Sequence, residues 1–223
     1  MYSALLVVAK KPAPGLTKTR LCPPLDGKQA ADLYECFLRD TLAIMRRVSG
    51  VRLGVVYLPK DAGAYFQKLA PDMACFQQRG ESLGERLDNL LTDVLSSGAG
   101  KAVVINSDSP NLPEVYLSQA FEKLNVADVV LGPTIDGGYY LVGMKEPHPQ
   151  LLREVQMSTS SVLEDTLKLA TSSGLKVSLL PEWYDIDKVE DLQRLRVDIT
   201  GVVNGSCEYT QAWLARYPSA TPG

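Results

Sequence analysis

The chain has 223 residues, of which 45% are hydrophobic and 22% are charged, and its formal net charge is -3. This composition is typical of a globular domain and excludes a disordered or fibrous protein. Both signs of charge are interleaved, so no broad basic surface is expected for a nucleic acid or an anionic membrane. Any phosphate-binding site must be local, and the absence of a linker predicts a single domain.

The apolar run near the start of the sequence and the four cysteines indicate the expected cellular compartment. The apolar run 4–9 precedes its two lysines, so it is neither a signal peptide nor a membrane span, and a cytoplasmic protein is expected. The four cysteines form no C-x-x-C pair and are expected to be reduced. The single histidine, His148, lies between two prolines in a predicted surface loop, which argues against histidine-based catalysis.

Short apolar runs alternate with longer amphipathic stretches, a pattern typical of an α/β domain with a mostly parallel central sheet flanked by helices. The order of the strands is not predicted. The expected strands are residues 4–9, 51–58, 73–77, 101–105, 128–131, 139–144 and 177–180.

Helices are predicted between these strands from the 3.6-residue spacing of apolar positions. Capping boxes are expected at Ser82 with Glu85, at Ser161 with Glu164 and at Asp187 with Glu190, and Pro113 is expected in a first turn. The predicted helices are residues 28–48, 62–69, 82–95, 113–124, 161–172, 187–196 and 208–215.

The strand 101–105 stops in small polar residues that include one carboxylate, Asp108. Open α/β sheets bind ligands beyond the carboxyl ends of their parallel strands, where Asp108 would lie. Mg²⁺ prefers one or two carboxylates together with phosphate oxygens and water, so one further ligand would complete a site. Asp108 could equally lie in a turn and cap the helix after Pro110, and the residues alone do not choose between these interpretations.

Asp136 is followed by Gly137, Gly138 and two tyrosines. The glycines would let the backbone approach a ligand, and Asp136 could orient or deprotonate an acceptor hydroxyl. Asp-Gly between two strands is also a strong turn signal, and the residues alone favour this hairpin interpretation.

The loop after the first strand carries several cations on a Pro- and Gly-rich segment. Lys18 and Arg20 could neutralise transferring phosphates, because arginine offers a bidentate fork and lysine a point charge. The alternative is a basic loop that is only solvated. The position of this loop at the same sheet edge as Asp108 favours a functional role.

Two further segments are weaker candidates. Asp185 and Asp187 lie on one side of an extended segment, and either could complete a metal site, although capping explains Asp187 about as well. Residues 77–86 could offer backbone amides near Gly80 to a base or ribose, but the structural interpretation is stronger there.

Taken together and in order, these segments resemble the DUF2064 family, also called transferase 1 of radical-SAM/selenodomain-associated systems, within the GT-A-like nucleotide-diphospho-sugar transferases. The resemblance spans nearly the whole chain. It is carried by residues 9–10, 14–15, 18–21, 83–86, 107–110, 136–140, 158–161, 185–187 and 190–191.

The resemblance implies one GT-A-like domain, with a nucleotide half at about 1–110, an acceptor half at about 111–200 and a C-terminal helix at about 205–217. It implies Mg²⁺ or Mn²⁺ at Asp108, with Asp187 as the second metal-side residue. Catalytic roles are expected for Asp136, Lys18 and Arg20. The nucleotide is expected to contact Lys10, Pro14, Gly15, Lys18, Arg20, Gly80, Asp108, Gly137 and Gly138.

Three functions stay open from the sequence. The chain lacks the G-x-G-x-x-R loop that typical nucleotidyltransferases place after the first strand, and residues 12–15 replace it. We therefore favour metal-dependent glycosyl transfer from a nucleotide sugar to a small acceptor. A nucleotidyltransferase that releases pyrophosphate and a non-catalytic nucleotide sensor are the alternatives, and a homodimer is left open.

Overall fold

The computed structural model describes residues 1–200 and 207–217. The strands are β1 Tyr2–Lys10, β2 Val51–Leu58, β3 Ala74–Gln77, β4 Ala99–Ile105, β5 Val129–Pro133, β6 Tyr139–Met144 and β7 Val177–Leu179. The helices are α1 Gly27–Arg47, α2 Gly63–Leu69, α3 Leu83–Ser96, α4 Glu114–Lys123, α5 Pro149–Arg153, α6 Val162–Ser172, α7 Val189–Thr200 and α8 Glu208–Arg216.

The strands form one sheet in the order β3-β2-β1-β4-β6-β5-β7. β6 runs antiparallel to β4 and β5, whereas the pairs β1–β2, β1–β4, β2–β3 and β5–β7 are parallel. The predicted single α/β domain with a mostly parallel sheet is therefore confirmed. The division into a nucleotide half and an acceptor half stays a prediction.

Helices cover both faces of the sheet because successive strand residues point to opposite sides. In β1, Leu5 and Val7 join the cluster formed with α1, α2, α4, α7 and α8. Leu6 points the other way, into the cluster formed with α3, α5 and α6. Burial of β1 on both faces explains its continuous apolar sequence.

The strand directions bring several loops to one edge of the sheet. The parallel strands β1 to β4 all end at this edge, the β5–β6 hairpin turns there, and the segment after β7 returns to it. The segments that carry Lys18, Asp108, Asp136 and Asp187 each follow one of these strand ends. The topology therefore gathers the candidate site from segments that are far apart in sequence.

Of the three predicted capping boxes, only that of Ser82 and Glu85 is confirmed. Ser161 precedes α6, but its hydroxyl donates to Asp165 Oδ2 at 2.7 Å and does not cap the backbone. At the start of α7, the backbone N–H groups of Asp187 and Lys188 donate to Asp191 Oδ2. The Asp187 carboxylate faces Lys18 instead, so the expected capping by Asp187 and Glu190 is wrong.

Smaller differences concern the ends of elements. Pro113 occupies the position before α4 rather than its first turn, and the short helix α5, which starts after His148, was not predicted. The C-terminal helix begins at Glu208, while residues 205 and 206 of its predicted range lie outside the described residues. No helix among the described residues is long and apolar enough to cross a bilayer.

Helix α8 is held to α1 by one buried carboxylate. Cys207, the residue before α8, provides no side-chain cap. Asp40 from α1 instead accepts hydrogen bonds from Tyr209 N at 3.1 Å, from Thr210 N at 2.8 Å and from the Thr210 hydroxyl. Its negative charge also lies at the positive end of the helix dipole. Asp40 therefore caps α8 from another helix.

Replacing Asp40 by alanine should lower the free energy of unfolding by about 2 kcal/mol, because buried donors lose their acceptor. Urea denaturation measures the effect, and hydrogen exchange should show the amides of α8 opening first. Asp32→Ala is the matched control, since Asp32 lies on α1 and pairs with exposed Lys28. Equal losses in both variants would show that Asp40 does not anchor α8.

Candidate functional site

A buried ammonium group lies between two carboxylates at the sheet edge. Lys18 Nζ is 2.7 Å from Asp108 Oδ1 and 2.8 Å from Asp187 Oδ1, and it donates to Ile186 O at 2.6 Å. These three acceptors match the three N–H donors of an ammonium group. The Lys18 side chain is 6% exposed, against 35% for Asp108 and 42% for Asp187. Lys18 thus links the segments that follow β1, β4 and β7.

The charges of this group perturb one another. Burial acts to lower the pKa of Lys18, but the adjacent Asp108 and Asp187 carboxylates outweigh it and raise the pKa above its usual value. Burial acts to raise the pKa of Asp187, but Lys18 and then Arg20 hold it below its usual value. Lys18 and Asp187 are therefore both charged at neutral pH.

The segments that carry Asp108 and Asp187 are fastened together by hydrogen bonds. Asp185 Oδ1 accepts from Asn106 Nδ2 at 2.9 Å and from Ser109 Oγ at 2.7 Å. Asn106 Oδ1 accepts from Asp108 N at 3.2 Å, and Ile186 N donates to Asp108 O at 2.9 Å. The backbone after β4 is thereby held in register with the backbone before α7.

Asp185 is a half-buried member of the acidic group. Burial raises the pKa of Asp185 to about 6, the Asp108 carboxylate adds to this rise, and the bonds from Ser109 and Asn106 oppose it. The sequence indicated Asp185 only as an alternative metal ligand. Its structural role with Asn106 was missed, because the two residues are 79 positions apart and no local pattern pairs them.

Tyr34 from α1 ties the ends of β1 and β4 together. Its hydroxyl accepts from Lys10 N at 3.1 Å and shares a hydrogen bond of 2.8 Å with Ser107 Oγ. Burial raises the pKa of Tyr34 to about 12, so the phenol stays neutral. The Lys10 side chain is exposed, as is that of Arg20, whose Nη1 lies 3.9 Å from Asp187 Oδ2. Both cations are therefore accessible to a ligand.

Two adjoining clefts open at this edge. The first cleft, of about 450 Å³, lies over the ends of β1 to β4 and includes Lys18, Gln78 and Arg86 in its wall. The second cleft, of about 610 Å³, extends over β6 towards residues 157–160. Both volumes fall in the range of small-molecule sites. The polar residues that line both clefts are Lys10, Arg20, Asn106, Asp108, Ser158 and Asp187.

The predicted site residues divide into three groups. Lys10, Lys18, Arg20, Asp108 and Asp187 line the first cleft, and Asp136 and Gly138 line the second. The remaining candidates line neither cleft. These are Pro14, Gly15, Gly80 and Gly137.

Asp136 lies in the hairpin turn between β5 and β6, in agreement with the turn interpretation. Its Oδ1 accepts from the Thr134 hydroxyl at 2.6 Å and from Gly138 N at 3.2 Å. Gly137 in this turn has φ +89°, and its carbonyl accepts from Leu163 N at 2.9 Å. Because Asp136 is exposed and lines the second cleft, the turn does not preclude contact with a ligand.

Asp108 and Asp187 are the carboxylates of the site that could hold a divalent cation. No three His, Cys, Asp or Glu side chains form an all-protein metal site within residues 1–200 and 207–217. Mg²⁺ commonly requires only one or two carboxylates beside phosphate oxygens and water. The Oδ1 atoms of Asp108 and Asp187 face Lys18, whereas their Oδ2 atoms accept no hydrogen bond from the described residues. The residues therefore fit a cation shared with a phosphate ligand.

Several solved structures share the fold of this chain. A protein from Desulfovibrio desulfuricans G20, provisionally named a nucleotide-diphospho-sugar transferase, superposes with a TM-score of 0.91 at 30% identity, covering 99% of this chain and 97% of that one. A 4-diphosphocytidyl-2C-methyl-D-erythritol synthase from Anaerococcus prevotii DSM 20548 shares the fold at 13% identity and TM-score 0.59, covering 89% and 96%. A cytidylyltransferase from Leptospira borgpetersenii serovar Hardjo-bovis (strain JB197) also shares the fold, at 13% identity and a TM-score of 0.56. The superposition covers 99% of this chain and 96% of that one. The chain has the nucleotide-diphospho-sugar transferase fold.

The family follows from two findings. Residues 41–159 match the family model described as uncharacterized protein conserved in bacteria (DUF2064), and the Desulfovibrio protein is similar over almost the whole chain. This chain belongs to the DUF2064 family, as its motifs indicated. No curated protein matches the sequence.

Proposed function

We propose that this chain is a transferase that acts on a nucleotide-activated donor, and that it transfers a glycosyl group from a nucleotide sugar to a small acceptor. The fold is shared with a protein provisionally named a nucleotide-diphospho-sugar transferase, which supports a nucleotide as the donor. Proteins of one fold can differ in function, which depends on the residues of the site itself.

The observation that carries the proposal is the wall shared by the two clefts. A transferase must hold a donor and an acceptor with their reacting atoms in contact. The first and second clefts meet at Lys10, Arg20, Asp108 and Asp187. The donor nucleotide would occupy the first cleft, the acceptor would occupy the second, and the diphosphate would lie against the shared wall.

The cations of the wall have different roles in this proposal. Lys10 and Arg20 are exposed and can bind the diphosphate directly, with Arg20 offering a bidentate fork. Lys18 has all three of its N–H donors occupied by protein oxygens, so it acts as a positioning residue that holds Asp108 and Asp187. Contact of Lys18 with a phosphate stays a prediction.

The transfer step uses Asp136 in the second cleft. The acceptor hydroxyl oxygen forms a bond to the anomeric carbon, and the bond from that carbon to the diphosphate oxygen breaks. The hydroxyl proton passes to the Asp136 carboxylate, and the nucleoside diphosphate leaves. Asp136 can accept this proton through Oδ2, because its hydrogen bonds with Thr134 and Gly138 use Oδ1.

Asp108 and Asp187 would hold Mg²⁺ or Mn²⁺ through their outer oxygens. A bound divalent cation supplies positive charge that stabilises the leaving diphosphate. The chain's own contribution is to keep the two carboxylates at a fixed separation through Lys18 and to keep the backbone of Asp108 in place through Asn106.

Nucleotidyl transfer is the second candidate, because two fold neighbours are a 4-diphosphocytidyl-2C-methyl-D-erythritol synthase and a cytidylyltransferase. The same shared wall could bind a nucleoside triphosphate and release pyrophosphate. The product therefore distinguishes the candidates: glycosyl transfer releases a nucleoside diphosphate, nucleotidyl transfer releases pyrophosphate, and a nucleotide sensor releases neither.

The test is binding followed by product analysis. Nucleotides and nucleotide sugars should raise the melting temperature only when Mg²⁺ or Mn²⁺ is present. Asp108→Asn should weaken nucleotide affinity about tenfold, or about 1.4 kcal/mol, and remove its metal dependence. Asp61→Asn is the control, because Asp61 is an exposed residue outside both clefts. Unchanged affinity and metal dependence in Asp108→Asn would overturn the proposed site.

A further inference from the structure

The second cleft has an uneven distribution of charge. Among the described residues that line this cleft but not the first, the charged ones are Asp136 and Asp185, and both are acidic. The cations of the second cleft are Lys10 and Arg20, and both belong to the shared wall. When a donor diphosphate lies against the wall, Lys10 and Arg20 neutralise its negative charge and are not available to the acceptor. The rest of the second cleft then presents only negative charge.

Asp136 keeps one carboxylate oxygen available within the cleft. Oδ1 accepts from Thr134 and Gly138, whereas Oδ2 accepts no hydrogen bond from the described residues. No lysine, arginine or histidine in the described part of the chain forms an ion pair with Asp136. A phosphate or carboxylate group brought to this oxygen would meet a like charge without compensation.

The remaining lining is uncharged. Hydroxyl groups of Thr159 and Ser160 border the cleft, and Leu87, Tyr139 and Met157 supply apolar surface. Hydroxyl groups donate and accept hydrogen bonds, so they suit the hydroxyls of a ligand. Aliphatic and aromatic side chains suit its C–H face.

We infer that the acceptor bound in the second cleft is a neutral or positively charged molecule that bears hydroxyl groups and carries no phosphate or carboxylate. This inference rests on the proposed function, because it assigns the acceptor to this cleft. It also bears on the reaction. Nucleotidyl transfer to a phosphate monoester would bring a dianion into the cleft, whereas glycosyl transfer requires only a hydroxyl.

Fractionated metabolites test the charge of the acceptor without knowledge of its identity. A small-molecule extract of bacterial cells is separated on a strong anion-exchange resin into a flow-through of neutral and cationic compounds and a retained anionic fraction. Each fraction is incubated with the full-length protein, Mn²⁺ and the nucleotide sugar that gives the largest thermal shift. Release of nucleoside diphosphate is measured, and the flow-through is expected to support at least about tenfold faster release.

Ser160 offers a matched pair of variants. It is exposed, lines only the second cleft and makes no side-chain hydrogen bond with the described residues, so substitution should preserve the fold. Ser160→Lys places a cation in the cleft and should raise turnover with the anionic fraction about fivefold. Ser160→Gln, of similar length and without charge, should not.

The outcomes separate the inference from the function on which it rests. Faster release with the anionic fraction in the unmodified protein would overturn the inference and leave the proposed transferase function intact. An equal response of Ser160→Lys and Ser160→Gln to the anionic fraction would likewise count against it. Release with neither fraction would contradict the proposed function, and the inference would fall with it.

Discussion

Replacing Lys18 by methionine is expected to destabilise the protein by about 2 kcal/mol and to slow turnover at least about 100-fold. Methionine keeps the length of the apolar stem but removes the ammonium group that joins Asp108 and Asp187. The two carboxylates would then repel each other, and Ile186 O would lose its donor.

The size of the stability effect follows from exposure. Removing one partner of a buried ion pair costs about 3–5 kcal/mol when the remaining charge stays dry. Asp108 and Asp187 are each at least a third exposed, so water and salt would screen part of the repulsion. We therefore expect a loss below that range, measured by urea denaturation in buffer with a metal chelator.

A divalent cation should partly restore the stability of Lys18→Met. The ammonium and a divalent cation interact with the same pair of carboxylates, and without Lys18 their Oδ1 atoms are free for a metal. Added MgCl₂ should therefore raise the denaturation midpoint of the variant more than that of the unmodified protein. Turnover should stay low, because a metal ion does not replace the hydrogen bond that Lys18 donates to Ile186 O beside Asp187.

Lys28→Met is the control for this experiment. Lys28 pairs with Asp32 on the surface of α1, where its side chain is 76% exposed, so its removal should leave the denaturation midpoint and its response to MgCl₂ unchanged. If Lys18→Met behaves like Lys28→Met, Lys18 is not the residue that positions the carboxylates. If the variant loses stability without any added response to MgCl₂, the pair Asp108–Asp187 does not bind a divalent cation in the absence of a nucleotide.

The sequence predicted the elements of the fold better than their arrangement. Strands such as β2 and β6 were predicted with their observed bounds, because a buried strand is a run of β-branched and aromatic residues whatever its neighbours are. The strand order depends on pairings between distant segments, and no local pattern encodes it. The turn signal Asp-Gly did identify the hairpin that makes β6 antiparallel.

The capping residues show the same limit at the level of single side chains. Ser82 caps α3 as predicted, since its partner Glu85 lies only three residues away. Ser161 donates to Asp165, and Asp187 pairs with Lys18, which is 169 residues away. A local motif therefore fails where another side chain offers a stronger partner.

The candidate site was predictable in its residue types and in its location. Lys18, Asp108 and Asp187 follow three different strands, and the rule that parallel strands end at one edge places them near one another. The direct contact of Lys18 with both carboxylates was not predictable, because it requires the exact register of three segments. This contact indicates that Lys18 positions the acidic pair, and contact of Lys18 with a phosphate stays a prediction.

Replacing Gly137 by alanine is expected to lower the free energy of unfolding by about 3 kcal/mol and to impair the second cleft. Gly137 has φ +89°, a conformation that side chains rarely adopt. An added Cβ would also lie 1.9 Å from Ser160 O and 2.7 Å from Ser160 C. These are backbone atoms, so the whole segment 158–161 must move.

Movement of residues 158–161 should weaken binding of the acceptor more than binding of the donor nucleotide. Residues 158–160 line the second cleft, and Leu163 N donates to Gly137 O, so a shift at Gly137 reaches both the cleft wall and the start of α6. In Gly137→Ala, the KM for the acceptor should rise at least about tenfold, while the thermal shift produced by the nucleotide stays near that of the unmodified protein.

Gly174→Ala separates the effect of backbone strain from the effect of the steric contact. Gly174 also has a positive φ, of +70°, but an added Cβ would meet nothing within 4 Å. Its substitution should therefore cost only the strain of the backbone conformation, about 1 kcal/mol, and leave the acceptor KM unchanged. The difference between the two variants measures the steric contact of Gly137 with Ser160. If the two variants lose equal stability, residues 158–161 can move without loss of folding free energy. Gly137 then does not fix the wall of the second cleft.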